Sequence, residues 1–594
     1  MTPDSHDAVP TRASDTHDGA EPSVPAQETS RRAFLAFLGS AAAAGSLAAS
    51  DGAADASIDL ETLRAAERLA GLELTADERS LMLEGLANLR DQYASLRQVD
   101  LANSVSPALV FDPLAGGRFP PAEEPRATGE TNRRAAVDPP AGDDLPFADV
   151  VQLGALLRSG DRTSTELTEL YLERLERLGP TLECVVHSTR ERALEEAGRA
   201  DRELAAGRDR GPLHGIPWGA KDLLAARGYP TTWGAAPYQN QVIDEDATVV
   251  QRLTEAGAVL TAKLTLGALA WGDVWFGGRT RNPWNLEQGS SGSSAGSASA
   301  TAAGLAGFTL GSETWGSIVS PCTRCGVTGL RPTFGHVSRH GAMALSWSMD
   351  KLGPIARSVD DCALVLEAIH GADDLDPAVH PRPFRWRRDL DPSSLRIGVV
   401  RSAFEEERPD ETWRTHDLEV LETLERLGLN LVDVELPTQG DDALPVEALG
   451  FVLSVEAAAA FDELTRSGKD DQLVRQIQQA WPNVFRQARM IPAVEYVQAN
   501  RVRTLAMERT ARLMERIDVF VCPSYGANNL LLTNLTGHPA IVVPNGFRED
   551  GTPTSITFTG GLFGENALIA VAGAYQRATD HHLRRPDLAA VADR

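Results

Sequence analysis

The chain has 594 residues, 42% of them hydrophobic and 24% charged, so it can bury a sizeable core and reads as globular. With 83 acidic against 57 basic side chains the formal net charge is −26, which repels nucleic acid and excludes the basic stripe such a partner needs. Five cysteines (Cys184, Cys322, Cys325, Cys362, Cys522) are too few and too scattered for a disulfide framework, and their odd number leaves at least one thiol unpaired within the chain.

In chain order, an Arg31-Arg32 pair precedes an apolar run from Ala33 to Ala49, too short and alanine-rich for a membrane span, and then small residues such as Ala48 and Ser50. Residues 1–54 resemble a twin-arginine export signal. This implies a periplasmic or secreted protein with no stable membrane anchor after the signal is removed. Residues 55–111 carry apolar positions at three- and four-residue spacing, with Thr75 before Asp77 and Glu78 as a helix start, and predict a small helical unit. Residues 112–146 turn to proline, glycine and charge, the composition of a linker. From residue 147 to 594, helical patterns ("STELTELYLERLERLG", "RERALEEAGRADRELAAG") alternate with short apolar runs ("AGAVLTAK", "LRIGVVRS", "DVFVCPS", "PAIVVPNG"), which predicts an α/β domain around a sheet.

Within that block, "LEQGSSGSSAGSASATAAGLAGFTLGSETWGS" (286–317) crowds serine and glycine together. A linker would lead into a new domain. This tract instead runs into a small-residue helix pattern and a short apolar strand, so it is expected to be packed backbone, with glycines allowing close approach. A hydrolytic serine needs a base and backbone donors for the oxyanion. No G-x-S-x-G elbow with an Asp and a His in plausible order is present, whereas "GPLHGIPWGAKDLL" offers Lys221 at the end of an apolar strand, where burial would lower its pKa.

Together "GIPWGAKD", "SGSSAGS" (Ser291 to Ser297) and "GSETWGSI" (Gly311 to Ile318), with "SWSMDKLGPIARSVDD" and "TNLTGHPAIVVPNG" further on, resemble the amidase signature family over most of Phe147 to Leu588. The resemblance implies an amidase signature fold, a large mixed β-sheet covered by helices on both faces, and an amide hydrolase working without cofactor or metal, with esters and carbamates as alternative substrates. It implies Lys221, Ser293 and Ser317 as the catalytic triad, with a cis peptide between Gly292 and Ser293. The backbone N–H groups of Thr314, Trp315, Gly316 and Ser317 would form the oxyanion hole. Three positions depart from the family pattern: Glu313 stands for Asp, Trp315 for Gly and Val319 for Arg.

Trp315, Trp271, Trp347 and Ser294 are the candidates for the substrate pocket, Ser294 being also the serine best placed to assist. An indole on the oxyanion loop predicts a neutral small-molecule amide with an apolar or aromatic acyl group, and poor use of free glutamine. Trp233 and Trp275 lie in neighbouring segments, where core packing is the plainer expectation. Cys322-x-x-Cys325 is a single pair, short of a zinc set, and is expected to pack; His214 and His538 are expected to be structural. The other serines of the tract should hydrogen-bond the local backbone. Two further readings remain open at this point: the glutaminase subunit of a tRNA-dependent amidotransferase, because "ERLAGLELTADERSLML" resembles that complex's small accessory subunit, and an inactive binding homologue.

Overall fold

The computed structural model describes residues 59–70, 76, 111–113, 142–407, 410–477, 479–489 and 491–592. The expected export signal lies outside the described residues, as do most of the helical unit and the linker. Leu60–Ala70 of that unit is a helix.

Strand formation follows the apolar runs. β1 (Val185–Ser188), β2 (Pro217–Lys221) and β3 (Val259–Leu264) come first, and two short ribbons follow: β4 (Val274–Trp275) with β5 (Gly278–Arg279), and β6 (Arg281–Asn282) with β7 (Asn285–Gly289). Then come β8 (Phe308–Glu313), β9 (Thr328–Arg331), β10 (Lys351–Ala356), β11 (Arg396–Val399), β12 (Asn430–Asp433), β13 (Val519–Pro523), β14 (Ala540–Phe547) and β15 (Pro553–Gly560). Eleven of them make one sheet in the order β1-β3-β2-β8-β10-β9-β14-β15-β13-β11-β12. It is mixed: β2 runs parallel to β3 and β8, and β11 to β12 and β13, while β10, β9, β14 and β15 pair antiparallel. Central strands such as β2, β3, β8 and β10 are buried at every residue, as expected of strands covered on both faces.

Helix boundaries follow capping chemistry. Val150–Ser159 starts on an Asp149/Gln152 capping box and ends at Gly160 (φ 77°), and Ser164–Leu182 starts on a Thr163/Glu166 box. The serine-rich tract is not a linker. It forms helix Ala295–Ala302, every residue buried. A Cβ at Gly296 would lie 2.4 Å from the Cys184 carbonyl oxygen and the Thr265 nitrogen, so glycine lets this helix press against the sheet. Among the described residues, no helix is long and apolar enough to cross a membrane.

The end of β2 is fixed by a buried ion pair. Side chains alternate along a strand, so Asp222 turns away from Lys221 and pairs with Lys263 at 2.7 Å, with both side chains fully buried. Lys263 Nζ is completed by the Pro230 carbonyl and the Thr231 hydroxyl, each at 3.1 Å. Removing one partner strands the other charge in the interior, so Lys263→Met is expected to lower stability by about 3–5 kcal/mol in urea denaturation.

Candidate active site

Lys221 leaves the carboxyl end of β2 beside β8, and the loop after β8 carries Thr314 to Ser317. The carboxyl ends of parallel strands are where α/β sheets commonly place their sites. Lys221 Nζ lies 2.8 Å from Ser293 Oγ, 3.1 Å from Ser294 Oγ and 2.8 Å from Ser312 Oγ. Among the described residues, no carboxylate is one of its hydrogen-bond partners. Burial pushes its pKa well below the ordinary lysine value, with Asp350 and Glu313 opposing from further away.

Ser294, expected in the substrate pocket, is fully buried instead. Its hydroxyl donates to the Ser312 carbonyl and accepts the Ser312 N–H, both at 3.1 Å, besides contacting Lys221. With its one proton spent on a carbonyl, Ser294 can only accept from the lysine. Ser293 and Ser312 keep protons they can share with the amine. Ser312 was not singled out from the sequence. It is the first serine of "GSETWGS", and only the pairing of β8 beside β2 brings it to the lysine.

The Gly292–Ser293 peptide is cis, as the resemblance implied, and a Cβ at Gly292 would collide with the Gly272 carbonyl. The Ser294 N–H donates to the Ser317 carbonyl at 3.1 Å, which ties the two serine segments together. Exposure rises outward, from 0% at Lys221 through 1% at Ser293 to 9% at Ser317.

The loop itself hangs on Glu313. Its Oε2 accepts the Ile318 and Val319 N–H groups at 2.8 and 2.9 Å, and its Oε1 accepts from Arg331 at 2.6 Å and Asn534 at 2.8 Å. Burial alone would raise this carboxyl, but the Arg331 charge and these donors hold it at about 2. The Gly316 carbonyl accepts the Ser320 N–H at 2.7 Å. A trans peptide sets N–H opposite C=O, so the Ser317 N–H aims away from the helix Val319–Cys325. Gly316 takes the left-handed conformation (φ 86°) and Trp315 does not, so tryptophan in place of the family's glycine meets no backbone obstacle.

The Trp315 indole is half-buried and lies against Gly450, 3.4 Å from where a Cβ there would sit. Trp271 is half-buried under the Arg475 guanidinium, 4.7 Å from the ring centre. Trp347 is also half-buried, and its carbonyl accepts from Arg339 at 2.6 Å. Trp233 and Trp275 are buried against Tyr238 and Phe276.

The plainer expectations also have positions. Ser297 and Ser299 donate to the carbonyls of Leu310 and Arg281. Both thiols of the Cys322/Cys325 pair are buried in an apolar cluster with Ile318 and Val319, which pushes their pKa values up. His214 lies 3.2 Å from Glu203, and His538 Nδ1 is 2.8 Å from the Thr536 hydroxyl, its pKa pushed down to about 3 by burial. Among the described residues, no group of three or more His, Cys, Asp or Glu side chains is placed to hold a metal ion.

The mixed sheet with a lysine–serine cluster at its strand ends is an α/β architecture carrying a candidate hydrolytic site. The chain belongs to the amidase family, whose pattern matches residues 166–532. It is 36% identical to a subunit of the glutamyl-tRNA(Gln) amidotransferase of Roseiflexus sp. (strain RS-1) over 478 residues, 73% of this chain and 96% of that one. Among solved structures it is similar to the native peptide amidase of Stenotrophomonas maltophilia, at 34% identity and TM-score 0.63 over 74% of this chain and 98% of that one. Another similar structure is a protein from a vestigial complex bearing on the origins of an s-triazine catabolic enzyme, at 26% identity and TM-score 0.67 over 74% of this chain and all of that one.

A third buried lysine, Lys351, carries no signal in the sequence. It stands opposite Glu313 in the β8–β10 pairing, and its buried Nζ has no hydrogen-bond partner among the described residues. Burial and the Arg331 charge push its pKa well below 10.5, with Glu313 and Asp350 opposing. Between that lowered value and 10.5 the unfolded chain holds a proton the folded one lacks, so this residue makes stability rise with pH across the window. Lys351→Met, which keeps the volume and removes the amine, is therefore expected to raise the unfolding midpoint by about 1–3 °C at pH 7, with the gain shrinking as pH approaches 10, measured by thermal melts across pH.

Proposed function

We propose that this amidase-family hydrolase cleaves a neutral carboxylic amide through an acyl-enzyme on Ser317, with Lys221 and Ser293 as its proton relay. The observation that carries the reading is the Lys221 amine, fully buried, 2.8 Å from Ser293 and hydrogen-bonded to no carboxylate. Burial favours the neutral amine, and in that form it accepts the Ser293 proton as Ser293 accepts that of Ser317, whose Oγ attacks the carbonyl carbon. The amides of residues 314–317 stabilise the oxyanion. Each such donor contributes on the order of 3 kcal/mol in the transition state. The relay then returns the proton to the departing amine, and water releases the acid from Ser317.

Ser317→Ala and Lys221→Ala are each expected to reduce kcat by at least about 10⁴-fold while remaining folded, because members of such a unit fail together. In the parent, kcat/KM should rise with pH through one ionisation lying below the ordinary lysine value, since only the neutral amine accepts a proton. Steady-state kinetics from pH 5 to 10 check both.

The acyl side is read as apolar or aromatic. Trp315 lies on the loop that must face the substrate, and the similar peptide amidase acts, by its name, on peptide amides. Trp315→Gly is expected to lower the preference for an aromatic over a small aliphatic amide about tenfold in kcat/KM.

The glutaminase reading keeps one specific support, the match to nearly the full length of the amidotransferase chain from Roseiflexus. Free glutamine as the best substrate of a panel would establish it in place of the first. Export, expected from Arg31-Arg32 and the apolar run behind it, is retained as part of the proposal and is decided by cell fractionation.

A further inference from the structure

The chain ahead of the α/β domain meets it at Phe111, Asp112 and Pro113. The Phe111 ring lies over the Arg503 guanidinium, 3.7 Å from its carbon, and meets the Phe334 ring edge-on at 5.0 Å between centres. Pro113 is buried beside Gly537, where an added Cβ would come within 2.9 Å of it, and Asp112 lies 3.4 Å from His380.

Arg503 is buried in the helix Ala493–Met514. Its Nε donates to the Leu535 carbonyl at 2.6 Å, Nη1 to Ser348 Oγ and Nη2 to the Ser348 carbonyl, both at 2.8 Å. All three guanidinium nitrogens thus donate along its edge, and its face is covered by the Phe111 ring, the partner suited to a desolvated cation.

What Arg503 grips leads to the candidate oxyanion loop. Ser348 and Ser346 are both held by Glu456, whose carboxylate accepts the Ser348 hydroxyl at 2.6 Å and the Ser346 hydroxyl at 2.7 Å. The Leu345 and Ser346 N–H groups donate to Asp350 at 2.8 and 2.9 Å, and the other Asp350 oxygen accepts the Thr314 hydroxyl at 2.5 Å. Thr314 is the first residue of that loop. An unbroken set of contacts therefore runs from Phe111 through Arg503, Ser348, Glu456, Ser346 and Asp350 to Thr314.

We propose that Phe111, which precedes the catalytic domain, is a positioning residue for the oxyanion loop: by covering the Arg503 guanidinium it holds residues 345–350, and through Asp350 it holds Thr314. The inference rests on reading residues 314–317 as that loop. The segment before the domain is on this account part of the working enzyme.

The test is made on the full chain with Phe111→Ala, Phe111→Leu and Phe111→Trp, using the amide on which dependence on Ser317 is measured. Phe111→Ala and Phe111→Leu are expected to lower kcat about tenfold with KM within about twofold, while Phe111→Trp keeps at least about half of the parent kcat. Thermal melts establish that each variant is folded at the assay temperature, and if the alanine variant is not, the leucine and tryptophan pair decides. Parent-like kcat in a folded Phe111→Ala or Phe111→Leu, or equal kcat in the leucine and tryptophan variants, overturns the proposal. The two readings fail separately: a fully active Ser317→Ala removes the oxyanion loop itself, whereas an inactive Ser317→Ala beside a parent-like Phe111→Ala removes only the role of Phe111.

Discussion

A lysine amine enclosed among three serine hydroxyls is the constraint around which this site is built. A charged ammonium taken out of water without a counter-ion is costly, and the remedy a protein has is to let it lose its proton. The neighbouring acid is diverted: Asp222 points to the opposite face and is consumed by Lys263. Ser294 is consumed by the Ser312 backbone, so the amine meets Ser293 and Ser312 as its sharing partners. Glycines in and around the helix Ala295–Ala302 let this segment sit close enough to the sheet for these distances to exist.

The loop beyond β8 solves a second problem, that of fixing its own course without a regular element. Glu313 does so from beneath, accepting two successive amides on one oxygen and two side-chain donors on the other. Its pKa near 2 keeps it charged at any pH where the protein would work. The left-handed turn falls on Gly316, which frees the preceding position for a large side chain. Trp315 thus adds apolar surface at the loop in an ordinary backbone conformation.

Much of the fold could be read from residue patterns. The four apolar runs singled out became β3, β11, β13 and β14, and the two long helical patterns became the helices Ser164–Leu182 and Arg190–Ala205, because their periodicity agrees with their final burial. The serine tract was legible as packed backbone because small residues continue into a helix pattern. Approach of Lys221 to Ser293 was not legible from spacing, since 72 residues separate them; it came from family resemblance. Ser312 and Lys351 escaped notice because a hydroxyl and an amine on short strands acquire their surroundings only from strand register. Ser294 is a pocket candidate by sequence for a related reason, as two adjacent serines look alike until the fold decides which one spends its proton on the Ser312 carbonyl. Phe111 stood at the edge of an expected linker, and nothing in its neighbours marks the distant arginine it covers.

On the proposed mechanism Ser317 is the residue acylated, and the buried amine activates it. Treating the intact protein with a fluorophosphonate and mapping the adduct by mass spectrometry tests this most directly. One adduct per chain, located on Ser317, is expected, with loss of labelling in folded Lys221→Met. Labelling on another residue, or undiminished labelling of Ser317 when Lys221 is replaced, would contradict it.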